Sequence, residues 1–279
     1  MQIGIMARTF SQPTLKEMLD AIVSHDIYYI QFGFNCVALP ELPERIDLSL
    51  CDEIRNEMEK RRITMSAISG TFNMTDPDVN KRQNGLIGLE RIASVCNRLG
   101  TSIITLCTGT KDPYNMWRRH PDNDSEEAWN DLVSSMGEAL KTAEKYNVIL
   151  AIEPEVSNVI DSAIKGRRLI DEFKSPHLKV CMDGANIFHK GELPCMREIL
   201  DKTFDLLSDH VVLAHAKDLD HDGDAGHLPA GKGLLDYNHY LSLFKTHNID
   251  VPIILHGLAE GDVDNCVNFL HKKSVNNNQ

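Results

Sequence analysis

The chain has no long run of basic residues, the largest being the triplet Lys60-Arg61-Arg62, with pairs such as Arg167-Arg168 elsewhere. Acidic residues outnumber basic ones, 41 to 29, for a formal net charge of −12. Nucleic-acid binding draws on clustered cations that neutralise phosphates, so no nucleic-acid partner is expected. Equally absent is an apolar run near the ~18 residues of a membrane span. The opening Met-Gln-Ile-Gly-Ile-Met has neither the basic start nor the apolar stretch of a secretory signal. The seven cysteines are scattered and form no Cys-x-x-Cys pair. That excludes a disulfide framework and fits reduced thiols in a cytoplasmic protein. Linkers and fixed-period repeats are missing too. Residues 1–273 therefore read as one domain, and the Asn-rich tail 274–279 is expected to fray.

What the chain does contain is alternation. Short runs rich in Val and Ile are expected as strands at 3–7, 28–34, 63–68, 102–107, 148–154, 178–183, 210–216 and 251–256. They are apolar on both faces, as parallel strands covered on both sides require. Amphipathic helices are expected between them, near 14–24, 48–60, 160–172, 237–246 and 263–271. Leu89, Ile92, Ala93, Cys96 and Leu99 recur at helical spacing before Gly100, which suits a C-terminal cap. Leu132, Met136, Leu140 and Ala143 form another stripe behind Ser125, an N-cap followed by two glutamates. Pro194 suits a first helical position. Eight such units predict an α/β fold, a single (β/α)8 TIM barrel, typically of ~250 residues. An open doubly wound sheet is the alternative, but it needs a Gly-rich turn after the first strand, where this chain has Arg8-Thr9-Phe10.

Two connections are long, Gly70 to Gln83 and Thr108 to Asp124, and both follow strands. In a barrel they lie on the C-terminal face, where active sites are built. The second carries Trp117 and His120, suited to covering a polar ligand, whereas Trp129 belongs to the packing of the following helix.

Polar residues interrupt four apolar strands at their C-terminal ends: Glu153, Asp183, His215 and His256. Burying a carboxylate or imidazole is costly unless it is paired or binds a cation. One such residue is ordinary; four at equivalent ends of the fifth to eighth strands converge on one barrel mouth. Their oxygens and nitrogens suit one divalent ion, Mn²⁺, Mg²⁺, Co²⁺ or Zn²⁺.

At these residues the chain resembles the sugar phosphate isomerase/epimerase family with the xylose isomerase-like TIM barrel. The motifs are Glu-Pro-Glu at 153–155, Met-Asp-Gly-Ala-Asn at 182–186, His-Ala-Lys-Asp at 215–218 and the stretch Leu-Pro-Ala-Gly-Lys-Gly-Leu-Leu-Asp-Tyr at 228–237. The resemblance spans essentially the whole chain, including Thr-Leu-Cys-Thr-Gly-Thr at 105–110. It implies a divalent ion held by Glu153, Asp183 and His215. The family's fourth ligand is Glu in many ketose epimerases, where this chain has His256. His256 is thus either a ligand or a proton relay, and epimerisation by two opposed glutamates does not carry over unchanged. Asn186, a candidate substrate contact, also departs from the pattern, since several relatives place His there.

Further candidates are Lys217, which either steadies an oxyanion or pairs with Asp218, and His227, a substrate contact or a solvated loop residue. Glu155 shares a strand face with Glu153. The Gly-Lys-Gly at 231–233 permits a tight turn.

These features predict a metal-dependent isomerase or epimerase of a sugar or related polyol, with Glu153 as base and an enediolate intermediate. The substrate is a small-molecule sugar, no membrane is involved, and a homo-oligomer is compatible with the chain. An inosose-type dehydratase or other lyase begins with the same carbanion and stays open. So does a non-catalytic sugar-binding barrel. Endonuclease IV-like phosphodiester cleavage is disfavoured, because Ser69-Gly70-Thr71 and Cys107-Thr108-Gly109 supply no additional His.

Overall fold

The computed structural model describes residues 1–276. Eight strands close into a parallel barrel: β1 (Ile3–Met6), β2 (Tyr29–Phe32), β3 (Thr64–Ser69), β4 (Ile103–Cys107), β5 (Ile149–Glu153), β6 (Leu178–Asp183), β7 (Val211–Asp218) and β9 (Ile253–Leu255). They pair in that order, and β9 returns to β1 to seal the ring. The strand missing from this numbering, β8 (Leu228–Pro229), pairs antiparallel with the end of β7, opposite Lys217 and Asp218. Two residues carry no periodicity, so nothing in the sequence marks β8 as a strand.

Helices α1 (Leu15–Ser24), α2 (Leu48–Lys60), α3 (Val79–Leu99), α4 (Glu126–Tyr146), α5 (Ala163–Phe173), α6 (Met196–Leu207), α7 (Tyr237–Thr246) and α8 (Val263–Asn276) form the outer ring. Local chemistry sets their ends. Thr14 accepts the Glu17 N–H and donates to the Glu17 carboxylate, a reciprocal cap. Ser125 accepts the Ala128 N–H, and Gly100 ends α3 at φ +91°. Pro194 sits in a 3-10 turn, Leu193–Cys195, just ahead of α6 rather than in its first turn. Helix α8 runs three residues into the segment expected to fray; residues 277–279 lie outside the described residues. No helix among the described residues is long and apolar enough to cross a membrane.

Apolar side chains fill two layers. The large one lies between strands and helices. The small one is inside the barrel: Met6, Ala67, Ala151, Cys181, Leu213 and Ile254. Side chains of a strand return to the same face every second residue. Two residues beyond each member of this inner layer therefore comes the next inward position, at the C-terminal mouth. Those positions are Arg8, Ser69, Glu153, Asp183, His215 and His256. The apolar plug ends there and a polar layer replaces it.

Candidate active site

The polar layer floors a cavity of about 640 Å³ at the barrel mouth. Glu153 ends β5, Asp183 ends β6, and His215 lies directly across from Asp183 in β7. His215 Nδ1 is 3.3 Å from Glu153 Oε2 and 3.6 Å from Asp183 Oδ2. All three residues are buried. Their neighbours leave these particular atoms free of hydrogen bonds. Gln31 donates its amide hydrogens to Ser69 Oγ (3.2 Å) and Thr105 Oγ1 (2.9 Å), which turns Gln31 Oε1 toward His215 Nε2 at 2.8 Å. The Nε2–H donates there, and in the neutral ring Nδ1 is left as a lone pair. Asn186 donates to Glu153 Oε1 at 2.5 Å, and Asp183 Oδ1 accepts the Ala185 N–H at 2.9 Å. Asp183 Oδ2 and His215 Nδ1 remain buried without a hydrogen bond.

Ligand atoms gather here in two overlapping sets, each within 4.8 Å: Glu153, Cys181 and His215, and Asp183, His215 and His256, with His215 common to both. Atoms bonded to one ion at about 2.1 Å lie roughly 3.0–3.4 Å apart, close to the spacing of His215 Nδ1 from either carboxylate. Positive charge is favoured there. Burial would push the His215 imidazole down, yet Cys181, Glu153 and Asp183 raise it well above the usual histidine value. Burial likewise opposes ionisation of Asp183, but Lys217 and His215 hold its carboxyl well below the ordinary range. The donor set fits a divalent cation of the Mg²⁺, Mn²⁺, Co²⁺ or Zn²⁺ type.

His256 stands just past β9, its backbone N–H donating to Ala216 O at 3.2 Å. Its ring lies 5.0 Å from that of His215. The Arg8 guanidinium reaches His256 Nε2 at 2.7 Å. A guanidinium only donates, so Nε2 is the acceptor and Nδ1 carries the hydrogen. Burial, followed by the cations Lys217, His215 and Arg8, keeps this imidazole neutral. In this arrangement His256 offers the site an N–H rather than a lone pair, and that Nδ1 is buried with no partner.

Lys217 is buried in the cavity wall with Nζ 3.3 Å from Asp183 Oδ2. Asp218 is not its partner. The Asp218 carboxylate accepts the backbone N–H groups of Leu219, Gly231 and Leu235, which folds the Gly-Lys-Gly turn against β7. Glu155 lines the same cavity, and burial together with Glu153 pushes its carboxyl up to about 7.

The loop from Lys111 to Asp124 crosses the mouth. Met116 and Trp117 line the cavity, with Trp117 half exposed. His120 does not: its Nδ1 accepts the Asp122 N–H and caps a 3-10 turn, Pro121–Asp124. Asn186 also stays out of the cavity lining. It accepts the Gly226 N–H while holding Glu153, so it positions the carboxylate instead of meeting a substrate. His227 turns outward toward Asp220, away from the cavity. Trp129 packs its helix, under Arg168.

Sequence reasoning missed Arg8, Gln31 and Glu41, all in the cavity lining. Gln31 is a polar residue within an apolar strand, the same signal that exposed His215. Arg8 follows Met6 by the strand period but lies in a 3-10 turn beyond the apolar run. Glu41 comes from an irregular loop with no pattern to betray it.

No curated protein matches the chain in sequence. Among solved structures it resembles 3-keto-D-glucoside 4-epimerase YcjR from E. coli, at 15% identity and a TM-score of 0.76, over 98% of this chain and 99% of that one. A D-tagatose 3-epimerase-like protein shares 13% identity at a TM-score of 0.77, covering 100% and 98%. The probable 3-DHS dehydratase AsbF from Bacillus anthracis shares 13% at 0.75, covering 97% and 99%. At such identities these structures share the fold. The model of the xylose isomerase-like TIM barrel family matches residues 21–265, and the chain belongs to that family.

Proposed function

We propose that this chain is a metal-dependent isomerase or epimerase of a sugar or related polyol, acting through an enediolate. One observation carries the reading: His215 Nδ1 and Asp183 Oδ2, buried and without hydrogen bonds, lie 3.6 Å apart on the floor of a 640 Å³ cavity, with Glu153 Oε2 3.3 Å from the same nitrogen. The likeness to the two epimerase-type structures supports it. A divalent ion bound there supplies Lewis acidity to a carbonyl and its neighbouring hydroxyl.

The chain's own residues do the rest. Glu153 is the base: with Oε2 on the ion side, Oε1, steadied by Asn186, is the oxygen left to take the proton. His256 presents Nδ1–H to an oxygen gaining charge, and the Arg8 contact keeps the ring in that tautomer. The Lys217 ammonium adds a buried positive charge beside Asp183. Trp117 and Met116 limit water access from above.

A lyase is the second reading, favoured by one feature. Where two opposed carboxylates would exchange protons symmetrically, this site pairs a carboxylate with a neutral donor, suited to a departing hydroxyl. The likeness to the probable 3-DHS dehydratase supports it.

Product analysis separates the two. Keto sugars, free and phosphorylated, and inososes are incubated with the enzyme and each of Mn²⁺, Mg²⁺, Co²⁺ and Zn²⁺, and products are followed by NMR. Isomeric sugars are expected; an unsaturated ketone with loss of water favours the lyase. Stoichiometric binding without any product would identify a sugar-binding barrel.

A further inference from the structure

The loop joining β7 to β8 carries a cluster that the barrel site does not use. His227 is half exposed, its Nε2 3.5 Å from Asp220 Oδ1. His221 Nδ1 bonds that same oxygen, and the two rings lie 5.3 Å apart. One ligand atom from each of Asp220, His221 and His227 falls within 4.8 Å of the others. On its far side His221 Nε2 is 3.5 Å from Asp224 Oδ2.

The backbone beneath is fixed. Asp222 Oδ2 accepts the N–H groups of Gly191 and Leu193, each at 2.9 Å. Gly223 N–H donates to Phe188 O at 2.9 Å, and Gly226 N–H to Asn186 Oδ1 at 2.9 Å. The three side chains therefore project from a held loop.

We infer that Asp220, His221 and His227 form a second metal site, for a borderline transition ion of the Zn²⁺ class. Two imidazoles and one carboxylate favour such an ion over Mg²⁺ or Ca²⁺, which prefer all-oxygen shells. Three protein ligands leave a position for water. The site lies at the rim, because Asp224 and Ala225 of the same loop line the cavity. An ion held there fastens this loop, and Asn186 links the loop to Glu153.

The test is zinc binding to the full chain, by calorimetry and by equilibrium dialysis at neutral pH. Wild type is compared with the double variant His221→Ala/His227→Ala and with Asp183→Asn, which disables only the barrel site. The double variant should bind one equivalent fewer than wild type, and Asp183→Asn should retain that equivalent. Cobalt in place of zinc should give Asp183→Asn, where the barrel site is disabled, a visible absorption band that disappears when His221→Ala/His227→Ala is added to it. Equal stoichiometry in wild type and the double variant overturns the proposal, and so does a rim equivalent lost only with Asp183. Circular dichroism confirms that each variant folds.

Discussion

His215 owes its orientation to Gln31, and Gln31 owes its own to Ser69 and Thr105. Partners that orient a ligand from behind typically affect metal affinity about 10–100-fold. Gln31→Ala should weaken Mn²⁺ binding by that order, measured by equilibrium dialysis, while Thr105→Ser leaves it nearly unchanged. His256 makes the contrasting case. With its Nε2 engaged by Arg8, His256→Gln should hold metal affinity near wild type and cut kcat by about 10²-fold, the order seen when one charge-stabilising donor is lost. A collapse in metal affinity would make His256 a ligand after all. At this scale the sequence reveals inward polar residues wherever they break a regular apolar strand. Glu153, Asp183, His215 and His256 stand out for that reason. Arg8 does not, because its strand has already turned, and the tautomer of His256 depends on Arg8. The choice left open between ligand and relay was therefore not decidable from residue types alone.

Among the elements, the loop over the mouth is braced at its start by Asp112. One oxygen accepts the Tyr114 and Asn115 N–H groups at 2.9 Å and the other meets Arg118. The Arg118 guanidinium and the Tyr114 N–H hold the Asp112 carboxyl at about 2, below its usual 3.8. A depressed carboxylate stabilises the native loop fully above its unfolded pKa and loses that effect as pH falls through the folded one. The loop should accordingly resist acid proteases near pH 4 and open to cleavage as pH approaches about 2. Asp112→Asn should remove this protection, which mass spectrometry of the fragments checks. Trp117→Ala should raise KM several-fold with little change in thermal midpoint, since the side chain is half exposed and touches the cavity from above. Regular elements were legible because their apolar spacing repeats. Loop braces and the two-residue β8 rest on a few individual hydrogen bonds, which leave no repeat to read.

For the molecule as a whole, eight alternations of strand and helix made barrel closure legible, and the family match agrees. Closure also explains why metal binding should stabilise the entire fold. Glu153, Asp183 and His215 come from three neighbouring strands, β5, β6 and β7, so an ion bound among them would tie those strands together. A ligand that binds only the native state stabilises it by about 2.7 kcal/mol at 100 times its Kd. Added Mn²⁺ should therefore raise the thermal midpoint, a chelator should reverse the rise, and Asp183→Asn should abolish it. A midpoint indifferent to every divalent ion would remove the metal from the barrel.

The reaction itself is tested most directly by exchange of the proton beside a substrate carbonyl with solvent. Keto sugars are incubated in deuterium oxide with Mn²⁺-loaded protein, and deuterium at the adjacent carbon is read by NMR. At least one member of the panel should take up deuterium with wild type. Glu153→Gln, which keeps the Asn186 contact and the fold but removes the base, should take up none. Exchange undiminished in Glu153→Gln, or no exchange with any keto sugar and any of the four ions, would contradict enolisation at this site.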